Sequence, residues 1–86
     1  MAFYRIEIAR SAAKDLRGID RKWIPRMVTT IEGLITDPRP SGCKKLMGSD
    51  HTYRLRIGTY RVIYDIHDDT LIVLVVRIRY RRDAYR

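Results

Sequence analysis

The opening segment of the chain alternates polar and hydrophobic residues, and this pattern predicts a β-strand over residues 3–8. One face of that strand carries Tyr4, Ile6 and Ile8. A short helix is predicted next, with Ser11 as its N-cap, an end near Arg17 and Gly18 as its stop. The first part of the chain therefore reads as one strand followed by one helix.

A second helix is predicted after Asp20, which is a candidate N-cap. Its hydrophobic residues recur at spacings of three and four, which is typical of an amphipathic helix: Trp23, Ile24, Met27, Val28, Ile31, Leu34 and Ile35. Pro25 falls near the first turn, where the missing N–H costs least. Residues 37–40, Asp-Pro-Arg-Pro, end the helix because a residue before proline is disfavoured in the α region. We expect the hydrophobic face to pack on a sheet.

Three further strands are predicted in the second half of the chain. Residues 53–57 and 60–66 alternate in polarity and flank a tight turn at Gly58–Thr59. Asp68–Asp69 marks the next turn, and the last strand runs from Leu71 to about Arg79. Its nearly continuous apolar run indicates a central strand covered on both faces.

The resulting order is β-α-α-β-β-β, which predicts an α+β fold in a single domain spanning residues 1–86. We expect a small, mostly antiparallel sheet with a helical hairpin packed on one face. Residues 39–52 form the one long irregular stretch.

Positive charge is the strongest compositional signal. The 86 residues carry a formal net charge of +8, and residues 54–86 contain eight arginines and no lysine. Five of these arginines and two tyrosines fall in the last ten residues. Arginine binds phosphate through a planar fork and stacks on bases, and tyrosine adds a further stacking face, so the pattern favours RNA as a ligand. A solvated basic tail is the alternative.

The predicted sheet concentrates this charge on the face away from the helices. We expect that face to collect Arg54, Arg56, Arg61 and the arginines at the end of the last strand, as exposed residues that contribute little to folding. RNA can be cleaved without a metal because its own 2′-OH can attack the adjacent phosphate. Arg54, Arg61 and Arg81 can neutralise the developing charge, while Tyr80 or Tyr85 can hold or donate a proton.

Other chemistries find little support in the sequence. Two histidines sixteen residues apart and the single Cys43 do not match the usual spacing of a metal site, so neither a metal nor a cofactor is predicted. A pair formed by Cys43 and His51 is conceivable as a nucleophile and its base, but is poorly supported. We expect a cytoplasmic protein, since one cysteine cannot form an internal disulfide and the chain lacks a membrane-span or signal-peptide pattern.

Three segments resemble the RelE branch of the RelE/ParE toxin superfamily. They are residues 37–46, DPRPSGCKKL; residues 53–64, YRLRIGTYRVIY; and residues 81–86, RRDAYR. The resemblance extends over nearly the entire chain. It implies a metal-independent endoribonuclease that cleaves mRNA in the ribosomal A site and inhibits translation. It also implies a cognate RelB-like antitoxin, so that the free chain is a monomer and the neutralised form a hetero-oligomer.

The resemblance also implies roles for individual residues. Arg61 and Arg81 match catalytic arginines, the first at the scissile phosphate and the second at the leaving side. Arg54 stands where the family often has a lysine, and Tyr85 matches a tyrosine that orients or stacks on the substrate. The remaining RNA-binding candidates are Arg56, Lys44, Lys45, Arg77, Arg79, Tyr80 and Arg82.

Two departures from the family pattern keep other functions open. Tyr80 stands where many relatives have His or Lys, and Thr52 stands where the more basic relatives have lysine. Proton transfer would then fall to Tyr80, Tyr85 or His51. The alternative is a ParE-like protein that inhibits DNA gyrase without catalysis, and a third reading is a nucleic-acid-binding module without activity. We expect both His51 and His67 to be dispensable for toxicity.

Overall fold

The computed structural model describes residues 3–80, and within them the chain forms an α+β fold, as predicted. A 3₁₀ turn, Arg21–Trp23, precedes the second helix. The other elements are β1 (Arg5–Ile8), α1 (Arg10–Leu16), α2 (Ile24–Gly33), β2 (Lys44–Lys45), β3 (Thr52–Ile57), β4 (Tyr60–His67) and β5 (Ile72–Tyr80).

The helix ends follow local chemistry, with one correction. Asp20, the candidate N-cap of the second helix, caps the 3₁₀ turn that precedes this helix, accepting a hydrogen bond from the backbone N–H of Lys22 at 3.1 Å. The prediction that Ser11 caps α1 is wrong, because the N-cap is Ala9 and no side chain caps this helix. The Ser11 hydroxyl instead donates to the carbonyl of Val76 at 2.6 Å, which ties α1 to the last strand.

Within residues 3–80 the sheet has five strands in the order β1-β5-β4-β3-β2. β1 runs parallel to β5, and the other neighbours are antiparallel. The sequence analysis missed β2, a two-residue strand inside the stretch taken as irregular. Two lysines give no periodic signal, so this strand exists only through its pairing with β3.

Both helices pack against one face of the sheet. Its inward side chains on β3, β4 and β5 include Leu55, Ile57, Val62, Tyr64, Ile66, Val73, Val75 and Ile78, all buried. Met27 and Leu34 face them from α2 and the turn that follows it. The other side of the sheet has no helix among the described elements, and we call it the open face. β5 is an interior strand, but the prediction that both its faces are covered is wrong: its burial alternates, and Leu74 is only half-buried.

A β-bulge in β5 decides which of its residues reach the open face. Ile63 pairs with Arg77 and Tyr64 pairs with Val75, so Val76 is an extra residue on β5. Strict alternation would put Arg77 on the same face as Val75, inside the core. The bulge shifts the alternation by one residue. Ile78 therefore points into the core, and Arg77 lies on the open face.

The turn between β3 and β4 depends on glycine. Gly58 has a positive φ of 59°, as the predicted tight turn requires. A Cβ at Gly58 would clash with the ring of Trp23. Trp23 in turn packs edge-on against Tyr60, with 6.3 Å between ring centroids. The turn is therefore clamped against the start of α2.

Candidate nucleic-acid interface

Three arginines form one row across the central strands of the open face. Arg56 of β3 pairs with Arg61 of β4, which pairs with Arg79 of β5. We call Arg56, Arg61 and Arg79 the arginine row. Directly opposed side chains on neighbouring strands have Cβ atoms about 5 Å apart, and like charges at that spacing repel. The row therefore concentrates positively charged side chains at one place on the open face.

Arg61, the centre of the row, is buried with 7% of its surface exposed, whereas Arg56 is exposed and Arg79 intermediate. The expectation that these arginines are all exposed is therefore wrong for Arg61. Burial restricts the rotamers of a long side chain, so its guanidinium is held in place before any ligand arrives. Arg61 thus contributes to the packing of the sheet as well as to its charge.

A second set of basic residues lies beside the row. Lys44 pairs with Arg54, Arg54 with Ile63, and Ile63 with Arg77, which places basic residues on β2, β3 and β5 of the open face. Arg77 turns toward α1, where its Nε donates to a carboxylate oxygen of Asp15 at 2.9 Å. Its charge is therefore largely balanced, while Lys44 is exposed and Arg54 partly so.

Two of the predicted RNA-binding residues lie on the helix side of the sheet. Lys45 pairs with Tyr53, which stacks on the buried Tyr64 at 6.1 Å between ring centroids. Tyr80 pairs with Tyr60 and contacts it edge-on at 5.6 Å. Both Lys45 and Tyr80 are exposed, but they are separated from the arginine row by the sheet itself. The predicted residues Arg81, Arg82 and Tyr85 lie outside the described residues.

A cluster that the sequence analysis set aside lies at the other end of the open face. His51, Asp65 and His67 bring their ligand atoms within 4.8 Å of one another, and the two imidazole rings are 5.1 Å apart. We call these three residues the histidine cluster. Sequence spacing failed here because His51 directly precedes β3 whereas His67 ends β4, and the hairpin brings these two positions together. The register of the β3–β4 hairpin pairs Thr52 with Asp65, and this pairing brings His51, the residue before Thr52, close to Asp65 and His67. The pairing, and not the spacing along the chain, is the signal that identifies the cluster.

A polar network fixes the turn next to the histidine cluster. Arg39 forms a bidentate pair with Asp68, with N–O distances of 2.7 and 3.2 Å, and also donates to the Tyr53 hydroxyl at 3.2 Å. The Tyr4 hydroxyl donates to the same carboxylate at 2.6 Å. Hydrogen bonds from Arg39 and then Tyr4 lower the pKa of Asp68, and the bond to Asp68 raises the pKa of Tyr4.

These positions define what each end of the open face can do. The arginine row can bind a phosphate and stabilise negative charge that develops on it. The histidine cluster is too far away to assist, because Asp65 lies four positions along β4 from Arg61, or about 13 Å away. His51 lies farther along the same direction, since the N–H of Ile66 donates to its carbonyl at 2.8 Å. No described side chain with imidazole chemistry therefore reaches the row.

The chain is similar in sequence and in fold to known toxins of type II toxin–antitoxin systems. The family described as the ParE toxin of type II toxin–antitoxin systems, parDE, matches residues 6–85. The relative named RelE1 from Methanocaldococcus jannaschii is 35% identical over 96% of both chains. The archaeal RelE–RelB complex from Pyrococcus horikoshii OT3 contains a chain with a TM-score of 0.82 and 26% identity, covering 92% of this chain and 96% of that one. A chain of the toxin–antitoxin complex RelBE2 from Mycobacterium tuberculosis has a TM-score of 0.80 and 25% identity, and the match covers 93% of this chain and 100% of that one.

Within residues 3–80, neither helix has the length and apolar character needed to cross a membrane.

Proposed function

Because the chain belongs to the RelE branch of the RelE/ParE superfamily of type II toxins, we propose that it inhibits translation by cleaving mRNA in the ribosomal A site. The observation that carries this proposal is the arginine row. Three arginines in register, with the central one buried, support this proposal because their guanidinium groups would bind a phosphate group. The open face around the row adds Lys44 and Arg54, which extend the positive charge along a strand of RNA.

The proposed reaction is a transfer within the RNA. The 2′-oxygen attacks the adjacent phosphorus, the bond from phosphorus to the 5′-oxygen breaks, and a cyclic phosphate and a free 5′-hydroxyl result. One proton leaves the 2′-OH and one reaches the 5′-oxygen. Arg61 would contact the scissile phosphate, while Arg54 and Arg81 would neutralise charge on the non-bridging oxygens and the leaving side. Tyr85 is proposed to orient the substrate or move a proton.

We propose that an antitoxin of the RelB type neutralises the toxin by binding it as a hetero-oligomer. Solved relatives with this fold are named as RelE–RelB and RelBE2 complexes, which supports such a partner. A net charge of +8 favours an acidic partner and accelerates encounter with it. The free toxin is proposed to be a monomer in the cytoplasm.

The ribosome is proposed to be required because a domain of 86 residues offers little surface with which to order a flexible RNA. The test compares primer-extension maps of one mRNA, incubated with purified toxin either naked or on a stalled ribosome. We expect cuts only on the ribosome and only in the A-site codon. Rapid cutting of naked RNA by low micromolar toxin would rule out ribosome dependence, and no cutting in either reaction would rule out the nuclease.

Inhibition of DNA gyrase is the second candidate, because the matching family is described by its ParE members. Brief induction of the toxin separates the two functions. Arrest of amino-acid incorporation before any change in plasmid supercoiling supports the nuclease. Loss of supercoiling with translation still running, together with full toxicity of both Arg61→Ala and Arg81→Ala, supports gyrase inhibition.

A further inference from the structure

The β3–β4 hairpin assembles the histidine cluster from residues that the sequence keeps apart. Asp65 and His67 are two positions apart on β4, so both lie on the open face. His51 directly precedes β3, and its carbonyl accepts from the N–H of Ile66 at 2.8 Å, which fixes it beside the end of β4. The three ligand atoms thereby come within 4.8 Å of one another.

We propose that His51, Asp65 and His67 form a Zn²⁺ site. Two imidazole nitrogens and one carboxylate oxygen are a common set of protein ligands for this ion, with bonds of about 2.0–2.2 Å. In tetrahedral geometry, bonds of that length place the ligand atoms about 3.3 Å apart. Closing from 4.8 Å therefore requires small side-chain rotations, and the exposed His51 is able to make them.

Neighbouring hydrogen bonds orient the carboxylate and the backbone of this site. The Thr52 hydroxyl donates to Oδ1 of Asp65 at 2.6 Å, which leaves Oδ2 to bind the cation. The Ser49 hydroxyl donates to Thr52 Oγ1 at 2.7 Å and accepts from the backbone N–H groups of Thr52 and His51 at 3.0 and 3.3 Å. Such outer hydrogen bonds hold ligands in place and typically change metal affinity about 10–100-fold when removed.

The site differs in kind from the arginine row. It lies at the opposite end of the open face, about 13 Å from Arg61 along β4. Its carboxylate oxygen and imidazole nitrogens are ligands for a cation, whereas the guanidinium groups of the row suit an anion. Three protein ligands leave a fourth position, which opens to solvent on the side of His51 and can take water. Bound zinc would join the beginning of β3 to the end of β4, and the proposed cleavage of RNA does not depend on it.

The test is calorimetric titration of the full, tag-free chain with zinc sulfate. We expect one Zn²⁺ per chain, and loss of that binding in both His51→Gln and His67→Gln. Thr52→Val keeps the β-branched shape and removes only the hydroxyl, so it should weaken binding about 10–100-fold. Cys43→Ser and Arg56→Gln are the matched controls, since neither residue belongs to the cluster, and both should bind zinc like the parent chain.

Circular dichroism on each variant separates lost ligands from lost folding. Zinc should raise the unfolding midpoint of the parent chain and of Cys43→Ser, and leave that of the folded histidine variants unchanged. Absence of stoichiometric binding by the parent chain overturns the site. Binding that survives in both histidine variants, or that disappears in Cys43→Ser, also overturns it by assigning the zinc to other ligands.

Discussion

The two ends of the open face differ in the charge of their ionisable groups. The arginine row places three like charges side by side on neighbouring strands, with the central one buried. The histidine cluster combines one carboxylate with two imidazoles, and the Thr52 hydroxyl donates to that carboxylate at 2.6 Å. One end therefore offers guanidinium groups, which suit an anion, and the other offers a carboxylate and two imidazoles, which are ligands for a cation.

The largest effect is expected at the centre of the arginine row. Arg61→Lys keeps the positive charge but removes the planar fork that holds a phosphate through two bonds. Loss of one such preorganised donor lowers the rate by about 10²–10³. Cleavage of ribosome-bound mRNA, followed by primer extension, measures the change.

Arg56→Lys is the matched control, since it makes the same change at an exposed end of the row. We expect a smaller loss there. Because Arg61 is buried, each variant also needs its urea unfolding midpoint measured, and antitoxin binding should persist in both. Equal and small losses of rate would show that position in the row is irrelevant.

The next largest effect is a loss of stability, expected at the Gly58 turn, which joins β3 to β4 beside the arginine row. Gly58→Ala forces alanine into a left-handed conformation and drives its Cβ into the ring of Trp23. We expect a loss of about 2–4 kcal/mol in the free energy of unfolding. Gly48→Ala is the control, because Gly48 also has a positive φ, of 80°, but nothing lies within 4 Å of its Cβ. A loss as large in the control would mean that the contact with Trp23 is unimportant.

A smaller effect is expected in the core between the two ends. The hydroxyl of Tyr64 donates to the carbonyl of Pro38 at 2.9 Å, and its removal in Tyr64→Phe should cost about 1 kcal/mol. Burial, followed by the proximity of Cys43, raises the pKa of Tyr64 above its usual range.

This shift gives the contribution of Tyr64 a definite dependence on pH. An unfolded tyrosine ionises at about pH 10, whereas the raised pKa of the folded Tyr64 keeps it neutral there. The contribution of Tyr64 to the free energy of unfolding is therefore complete below that pH and falls as the pH rises above it. Urea unfolding of the parent chain and Tyr64→Phe at neutral and alkaline pH should show their difference shrinking above about pH 10. A constant difference would contradict this origin.

The smallest effect is expected from the histidine cluster on toxicity. His51→Gln should leave growth arrest unchanged, because His51 lies beyond Asp65 on the side away from Arg61. The same should hold for His67→Gln. Growth curves after induction measure this, with the amount of toxin checked on blots. Abolished arrest with an intact fold would make His51 a general base.

The sequence predicted the features of the fold that depend on residues close together along the chain. Alternation predicted the inward residues Val62, Tyr64 and Ile66, and the Asp20 cap and the Gly58 turn follow from chemistry within a few residues. The overall α+β order was predicted for the same reason. Ser11 failed as a cap because its hydroxyl found a carbonyl on a distant strand, which no local rule anticipates.

The site was less predictable because it depends on register. The bulge at Val76 shifts the alternation in β5, so that Arg79 reaches the open face and Tyr80 the helix side. A single sequence does not reveal one extra residue in a strand. The burial of Arg61 and the assembly of the histidine cluster likewise arise from strands that meet only in three dimensions.

The contact of α1 with β5 has a consequence for the behaviour of the toxin in solution. β1 covers β5 only up to Val75, and beyond it Asp15 of α1 accepts from the N–H of Ile78 at 2.9 Å. The helix thereby occupies a strand edge that would otherwise offer unpaired backbone groups to another chain. At the far side of the described sheet, β2 is two lysines long, which also discourages strand addition. A basic protein with such short edges should resist self-aggregation even when no antitoxin is bound.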